Sequence, residues 1–184
     1  MSIFYNAFFI KTQKSTTELK ERFCRVDIMP ESEWIVCNFG DGFPKGLFEP
    51  GDYLTKEISE KFGEVIFICI DSRNDQLDYE HSKQGTLLRK LSWLSDGCQS
   101  TWACVEGERE EWEDDIIFTE TASLKFLELM RDDLTEDEFS EKRQKISSIC
   151  QNRNYIIDDI WPYIDATIGI SIQKFFGIKI PISL

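Results

Sequence analysis

An α+β fold is expected from this chain: a mainly antiparallel sheet with a meander at about 64–106, helices packed on one face, and a helical C-terminal third. Three observations lead there. Apolar runs and strict alternation fill the middle of the chain, punctuated at short intervals by Asn74, Asp75, Gly85, Asp96 and Gly97. Helical spacing with capping signals fills the last third. The order of elements is β-α-β-α-ββββ-ααα, and a block of strands followed by a block of helices argues for α+β.

The elements follow in order. Residues 3–10 (IFYNAFFI) are aromatic-rich and read as a mostly buried strand. Ser15 and Glu18 have the spacing of a capping box, opening a helix that runs to about Cys24. Residues 34–39 (WIVCNF) read as a second strand. Residues 40–51, with four Gly and two Pro, read as a loop. Asp52 is placed to cap a helix carrying Leu54, Ile58 and Phe62 four apart, with Gly63 as its stop. The continuous apolar run 65–70 predicts a central strand covered on both faces. Leu77, Tyr79 and His81 alternate with Asp78, Glu80 and Ser82 in a half-buried strand, and residues 86–94 and 101–106 complete the meander. Residues 121–131 carry Leu124, Leu127 and Met130 at helical spacing, with Phe126 and Leu129 broadening the face. Thr135 and Glu138 form a second capping box, with Leu134 and Phe139 as a hydrophobic staple, for a helix to about Cys150. A last helix is expected from near Asp159, with Pro162 in its first turn, to near Phe176, closed by Gly177.

Length and charge set the class. One domain over 1–184 is the expectation for 184 residues, of which 41% are hydrophobic. The formal charge of −13 repels nucleic-acid phosphates and anionic lipid, so no nucleic acid and no membrane is expected as partner, and a basic protein fits better. The six cysteines are too dilute for a disulfide scaffold, and residues 1–10 do not read as a signal peptide, so a cytoplasmic location is expected. No run approaches the length of a membrane span.

The candidate chemistry is sparse. His81 is the only histidine, so any histidine-dependent mechanism must use it. Glu80 and His81 are neighbours on a strand and face opposite ways, whereas His81 and Tyr79 share a face. If the protein is an enzyme, His81 is the general acid or base of a small-substrate hydrolase, assisted by Tyr79 and Arg89. The segment 106–115 carries seven acids and one arginine around Trp112, without the spacing of a calcium loop. Trp93 and Trp102 are placed to face one another across adjacent strands, as core or as the wall of a ligand groove. No cysteine pair, phosphate loop or dinucleotide fingerprint is present, so no metal and no cofactor is expected.

Tyr79-Glu80-His81 is followed by Gly85, Leu88, Arg89 and Leu91, then by Trp102, Val105, Glu106, Gly107, Glu108, Glu110, Trp112 and Glu113. This order, with Phe176, Gly177 and Ile178 near the end, resembles segments of hypothetical bacterial proteins. The resemblance covers about a fifth of the chain, implies a bacterial origin and carries no activity.

The function expected from these readings is a non-enzymatic binding or regulatory protein that docks a basic protein through an acidic face, in the manner of a toxin-neutralising immunity protein. Tyr79, Glu106, Glu108, Glu110, Glu111, Trp112 and Glu113 are its expected contact residues, with Trp112 and Tyr79 as aromatic anchors. A hydrolase built on His81 and a small-ligand sensor with an aromatic pocket are the alternatives.

Overall fold

A computed structural model of the chain describes residues 2–40, 53–95, 97 and 99–181. Strand β1 (Phe4–Lys11) is followed by helix α1 (Thr16–Arg22), strands β2 (Val26–Ile28) and β3 (Ile35–Cys37), and helix α2 (Lys56–Phe62). Next come β4 (Glu64–Asp71), β5 (Gln76–Lys83), β6 (Thr86–Ser95) and β7 (Ser100–Gly107). The chain closes with α3 (Glu111–Ile116), α4 (Glu120–Leu129), a 3-10 turn (Arg131–Asp133), α5 (Glu136–Asn152) and α6 (Ile168–Phe175).

The strands form one antiparallel sheet in the order β2-β3-β1-β4-β5-β6-β7, so the meander is the run β4 to β7 and β4 is paired on both sides. Alternation along β1 and β4 sends apolar side chains both ways. Tyr5, Ala7, Phe9, Ile66, Ile68 and Ile70 join the larger core with Trp93, Trp102, Trp112 and Ile172, while Phe8, Ile10, Val65 and Phe67 join a second core with Leu19, Phe23, Ile58 and Phe62. The sheet is therefore covered on both faces. Residues of α3 and α6 pack into the larger core, as the single-face expectation had it, and α1 and α2 add a second, smaller layer on the other side. A strand that is apolar at odd and even positions alike needs that second layer.

The box at Thr135 forms, with Thr135 and Glu138 exchanging bonds at the head of α5, whereas at the head of α1 only half of one does: Ser15 accepts from the Glu18 amide at 3.4 Å, and the Glu18 carboxylate meets the Ser15 hydroxyl rather than its amide. At the end of α6 the Gly177 amide donates to Lys174 O at 3.1 Å and the Ile178 amide to Gln173 O at 2.9 Å. With Gly177 at φ 66° this is a Schellman closure, as the glycine predicts.

Four local expectations are corrected. Strand β2 is too short for its periodicity to be read, and it exists through its pairing of Val26 with Cys37 and Ile28 with Ile35. Helix α3 lies inside what reads as a charge run. Helix α2 starts after Thr55 rather than after Asp52, and Asp52 with residues 41–51 lies outside the described residues. Helix α6 begins at Ile168, not near Asp159. The chain before it spends its polar groups on the sheet instead: Asp158 N donates to Trp102 O at 2.9 Å, Trp102 N to Asp159 O at 3.1 Å, Trp102 Nε1 to Pro162 O at 2.8 Å, and Ala166 N to Asp75 Oδ1 at 2.9 Å. Those tertiary bonds satisfy the backbone without a helix.

Candidate functional site

The core face of β5 and β6 carries three polar side chains: Tyr79, His81 and Arg89. Buried polar groups need partners, and the acids of the β7–α3 connection supply them. Glu110, at the N-cap of α3, accepts from Tyr79 OH at 2.5 Å and Trp112 Nε1 at 2.6 Å, and lies 2.5 Å from His81 Nδ1. The other ring nitrogen, Nε2, is 3.2 Å from Glu64 Oε1 on β4, and the second oxygen of Glu64 is 3.0 Å from Lys83 Nζ. Both ring nitrogens thus face a carboxylate oxygen. The edge of the Phe176 ring closes over the imidazole at a centroid distance of 5.6 Å.

Beside this group lies a second one. Arg89 clamps Glu113 with two parallel bonds, Nε to Oε1 at 2.9 Å and Nη2 to Oε2 at 2.7 Å, and its Nη1 donates to Gly107 O at 2.8 Å. Tyr155 OH donates to Glu113 Oε2 at 2.5 Å, and the Glu110 amide donates to Glu113 Oε1 at 2.8 Å. The two groups are thus joined through α3, whose Glu110 and Glu113 turn inward together. Gly107 makes the approach: its φ is 84°, and a Cβ there would lie 2.1 Å from Leu88 O.

Burial pushes the Glu110 carboxyl up, but the bonds from His81, Tyr79 and Trp112 outweigh it and hold its pKa below the ordinary carboxylate value. Burial is the first cause for Tyr79 and Tyr155 as well, and with Glu110 and Glu113 beside them both phenols are pushed far up and stay protonated. For Arg89 burial works downward, and the Glu113 carboxylate reverses it to a net rise.

The structure therefore brings together Tyr79, His81, Arg89, Glu110, Trp112 and Glu113, and adds Glu64 and Tyr155, which sequence reasoning missed. A signal for the acids existed: three inward-facing polar residues on central strands require acceptors, and Glu110 and Glu113 precede the apolar residues Ile116, Ile117 and Phe118 at helical spacing. Two expectations are corrected here. Tyr79 is 1% exposed and Trp112 0%, so neither side chain has surface to offer a partner. The segment 106–115 is not a uniformly solvated face either. Glu106, Glu108 and Glu111 are exposed, Glu110 and Glu113 are turned into the core, and Asp114 is 3.1 Å from Arg109 and 2.9 Å from Arg153.

For the hydrolase expectation the geometry is restrictive. His81 is 4% exposed, and the groups at its ring nitrogens are carboxylates rather than a hydroxyl or thiol. Cavities of about 400, 450 and 560 Å³ lie elsewhere, lined by other residues. Glu80, as its alternation requires, faces the other way and accepts from the Thr55 amide and hydroxyl, both at 2.7 Å, at the head of α2. Trp93 and Trp102 do face one another, at 5.3 Å between centroids, but both are fully buried and wall no groove. Among the described residues no group of three or more His, Cys, Asp or Glu side chains is placed to hold a metal ion, and the five described cysteines are free. No helix among the described residues is long and apolar enough to cross a membrane.

The fold defines an α+β protein with a sheet covered on both faces and a carboxylate network tying α3 to the meander. No protein-family model matches the chain, and no curated protein or solved structure is detectably similar to it.

Proposed function

We propose that the chain is a non-enzymatic binding or regulatory protein that docks a basic protein partner through an acidic face, as a toxin-neutralising immunity protein in the cytoplasm of a bacterium would. The observation that carries the reading is the turn between α4 and α5. Over residues 128–141, Glu128, Asp132, Asp133, Glu136, Asp137, Glu138 and Glu141 are all exposed, against one arginine, Arg131, which is bound to Glu136 at 2.6 Å. Leu129, 76% exposed, sits among them. An apolar residue ringed by like charges suits a partner that is basic with an apolar centre. The face expected at 106–113 is weaker support, because Glu110, Trp112 and Glu113 are spent internally and only Glu106, Glu108 and Glu111 remain for a partner. The −13 charge disfavours nucleic acid in the same reading.

The test is purification of the native protein from its host at low ionic strength, where screening of exposed charges is weakest. A stoichiometric basic protein is expected, released at high salt. It is lost from a variant carrying Glu128→Lys, Asp132→Lys and Glu136→Lys, and kept by a charge-matched variant carrying Glu21→Lys, Glu60→Lys and Asp158→Lys. Equal retention by both variants, or no partner at all, overturns the reading.

A further inference from the structure

We propose that the cavity between the start of β1, the end of β3 and helix α6 is a binding site for a small amphipathic carboxylate, an acyl or aryl-alkyl acid. The cavity holds about 560 Å³, within the ~300–1,000 Å³ typical of ligand sites. Its walls are apolar, with Phe39, Ile170 and Ile180 among them, and its polar lining groups are few, as ligand sites require.

Two of those polar groups are buried and fixed. Tyr5 and Gln173 are 5% and 4% exposed, and Gln173 Nε2 donates to Tyr5 OH. The Tyr5 ring is held in turn by Phe39, at 4.9 Å between centroids. Burial pushes the Tyr5 phenol up, so it stays neutral and presents no charge to a ligand. Ile170 and Gln173, three apart on α6, share the face that looks into the cavity.

The choice of a carboxylate comes from Arg25. It is the one charged residue on the cavity wall among the described residues, a cation on a protein of net charge −13. Its Nε is 2.7 Å from Asp27 Oδ2 and its Nη1 donates to Phe39 O at 3.5 Å, which orients the guanidinium at the rim while 43% of the side chain stays exposed. A planar guanidinium with donors left over fits a carboxylate in a two-pronged fork, and the apolar walls behind it fit an acid with an apolar body. The acid head then sits on Arg25 and the apolar body runs in over Phe39 and Ile170 towards Tyr5 and Gln173. No lining residue belongs to the α4–α5 turn, so this site stands or falls apart from the docking reading.

Titration calorimetry with sodium octanoate and with 1-octanol tests it on the full chain. Octanoate is expected to bind saturably at one site with a dissociation constant below about 1 mM, and octanol roughly fivefold more weakly. Arg25→Gln brings octanoate down to the level of octanol. Ile170→Trp, which fills the cavity, abolishes both, and Ile180→Trp does the same should the first variant fail to fold. Absence of saturable octanoate binding, equal affinity for acid and alcohol in the wild type, or binding that survives the folded cavity-filling variants overturns the proposal.

Discussion

Glu110 takes three donors on one carboxylate, and its lowered pKa makes that a pH-dependent contribution. The folded state gives up this proton at a lower pH than the unfolded chain, whose Glu titrates near 4.5. Below about pH 5 the unfolded state therefore binds more protons, and stability falls as pH drops through the folded pKa; above that window the contribution is present in full. Urea midpoints of the wild type are expected to drop between about pH 5 and 3.5 more steeply than those of Glu110→Gln. Equal slopes would remove Glu110 as a source. Arg89→Met leaves Glu113 buried without its clamp and is expected to cost about 3–5 kcal/mol in the same assay. Adding Glu113→Gln is expected to restore part of that loss, because the two residues act as a pair. Half of this network was legible in the sequence. Strand alternation put Tyr79 and His81 on one face and Glu80 on the other. It did not say what fills the space above them, since a charge run such as 106–115 is ordinarily solvated and only packing against β5 and β6 turns Glu110 and Glu113 inward.

At the scale of elements, what was legible was what is local. The meander, α4, α5, the Ser15 cap and the box at Thr135 are encoded by spacing within a few residues, and they form where expected. Helix α3 and the irregular approach to α6 depend on bonds to distant segments, and no window of sequence contains those partners, while three-residue β2 is too short to show a period. The difference predicts two kinds of mutant. Thr135→Ala removes one local cap and is expected to lower stability by about 1 kcal/mol, read as a small shift in the thermal midpoint with an unchanged fold. Gly107→Ala strikes a tertiary junction, where a Cβ would meet backbone Leu88 O at 2.1 Å and the positive φ disfavours any side chain. It is expected to detach α3 from the meander, costing well above the ~1 kcal/mol of a cap and raising the fluorescence exposure of Trp112. A Gly107→Ala protein with wild-type stability and a shielded Trp112 would show that the junction is not under this constraint.

Over the whole molecule, the buried networks and the surface respond to salt in different ways, and the difference has a sign. The His81–Glu110 and Arg89–Glu113 groups are largely shielded from mobile ions and change little with ionic strength. Exposed pairs such as Arg131–Glu136 and Arg22–Glu57 weaken with salt, but exposed pairs contribute little to begin with. The excess of 13 negative charges repels itself in the compact state, and salt relieves that repulsion. The net expectation is a stabilising effect: the thermal midpoint rises by roughly 3–6 °C between about 10 and 300 mM NaCl. The α4–α5 turn concentrates that repulsion, so a variant carrying Glu128→Gln, Asp132→Asn, Asp133→Asn and Asp137→Asn is expected to start from a higher midpoint at low salt and to gain less from added salt. It is also the variant expected to lose a basic partner, which ties the two measurements together. An acidic face kept at a cost to the folded state is stabilised when an oppositely charged surface covers it. A midpoint that falls with salt would mean that the surface ion pairs outweigh the repulsion, and the turn would then carry no stored repulsion for a partner to relieve.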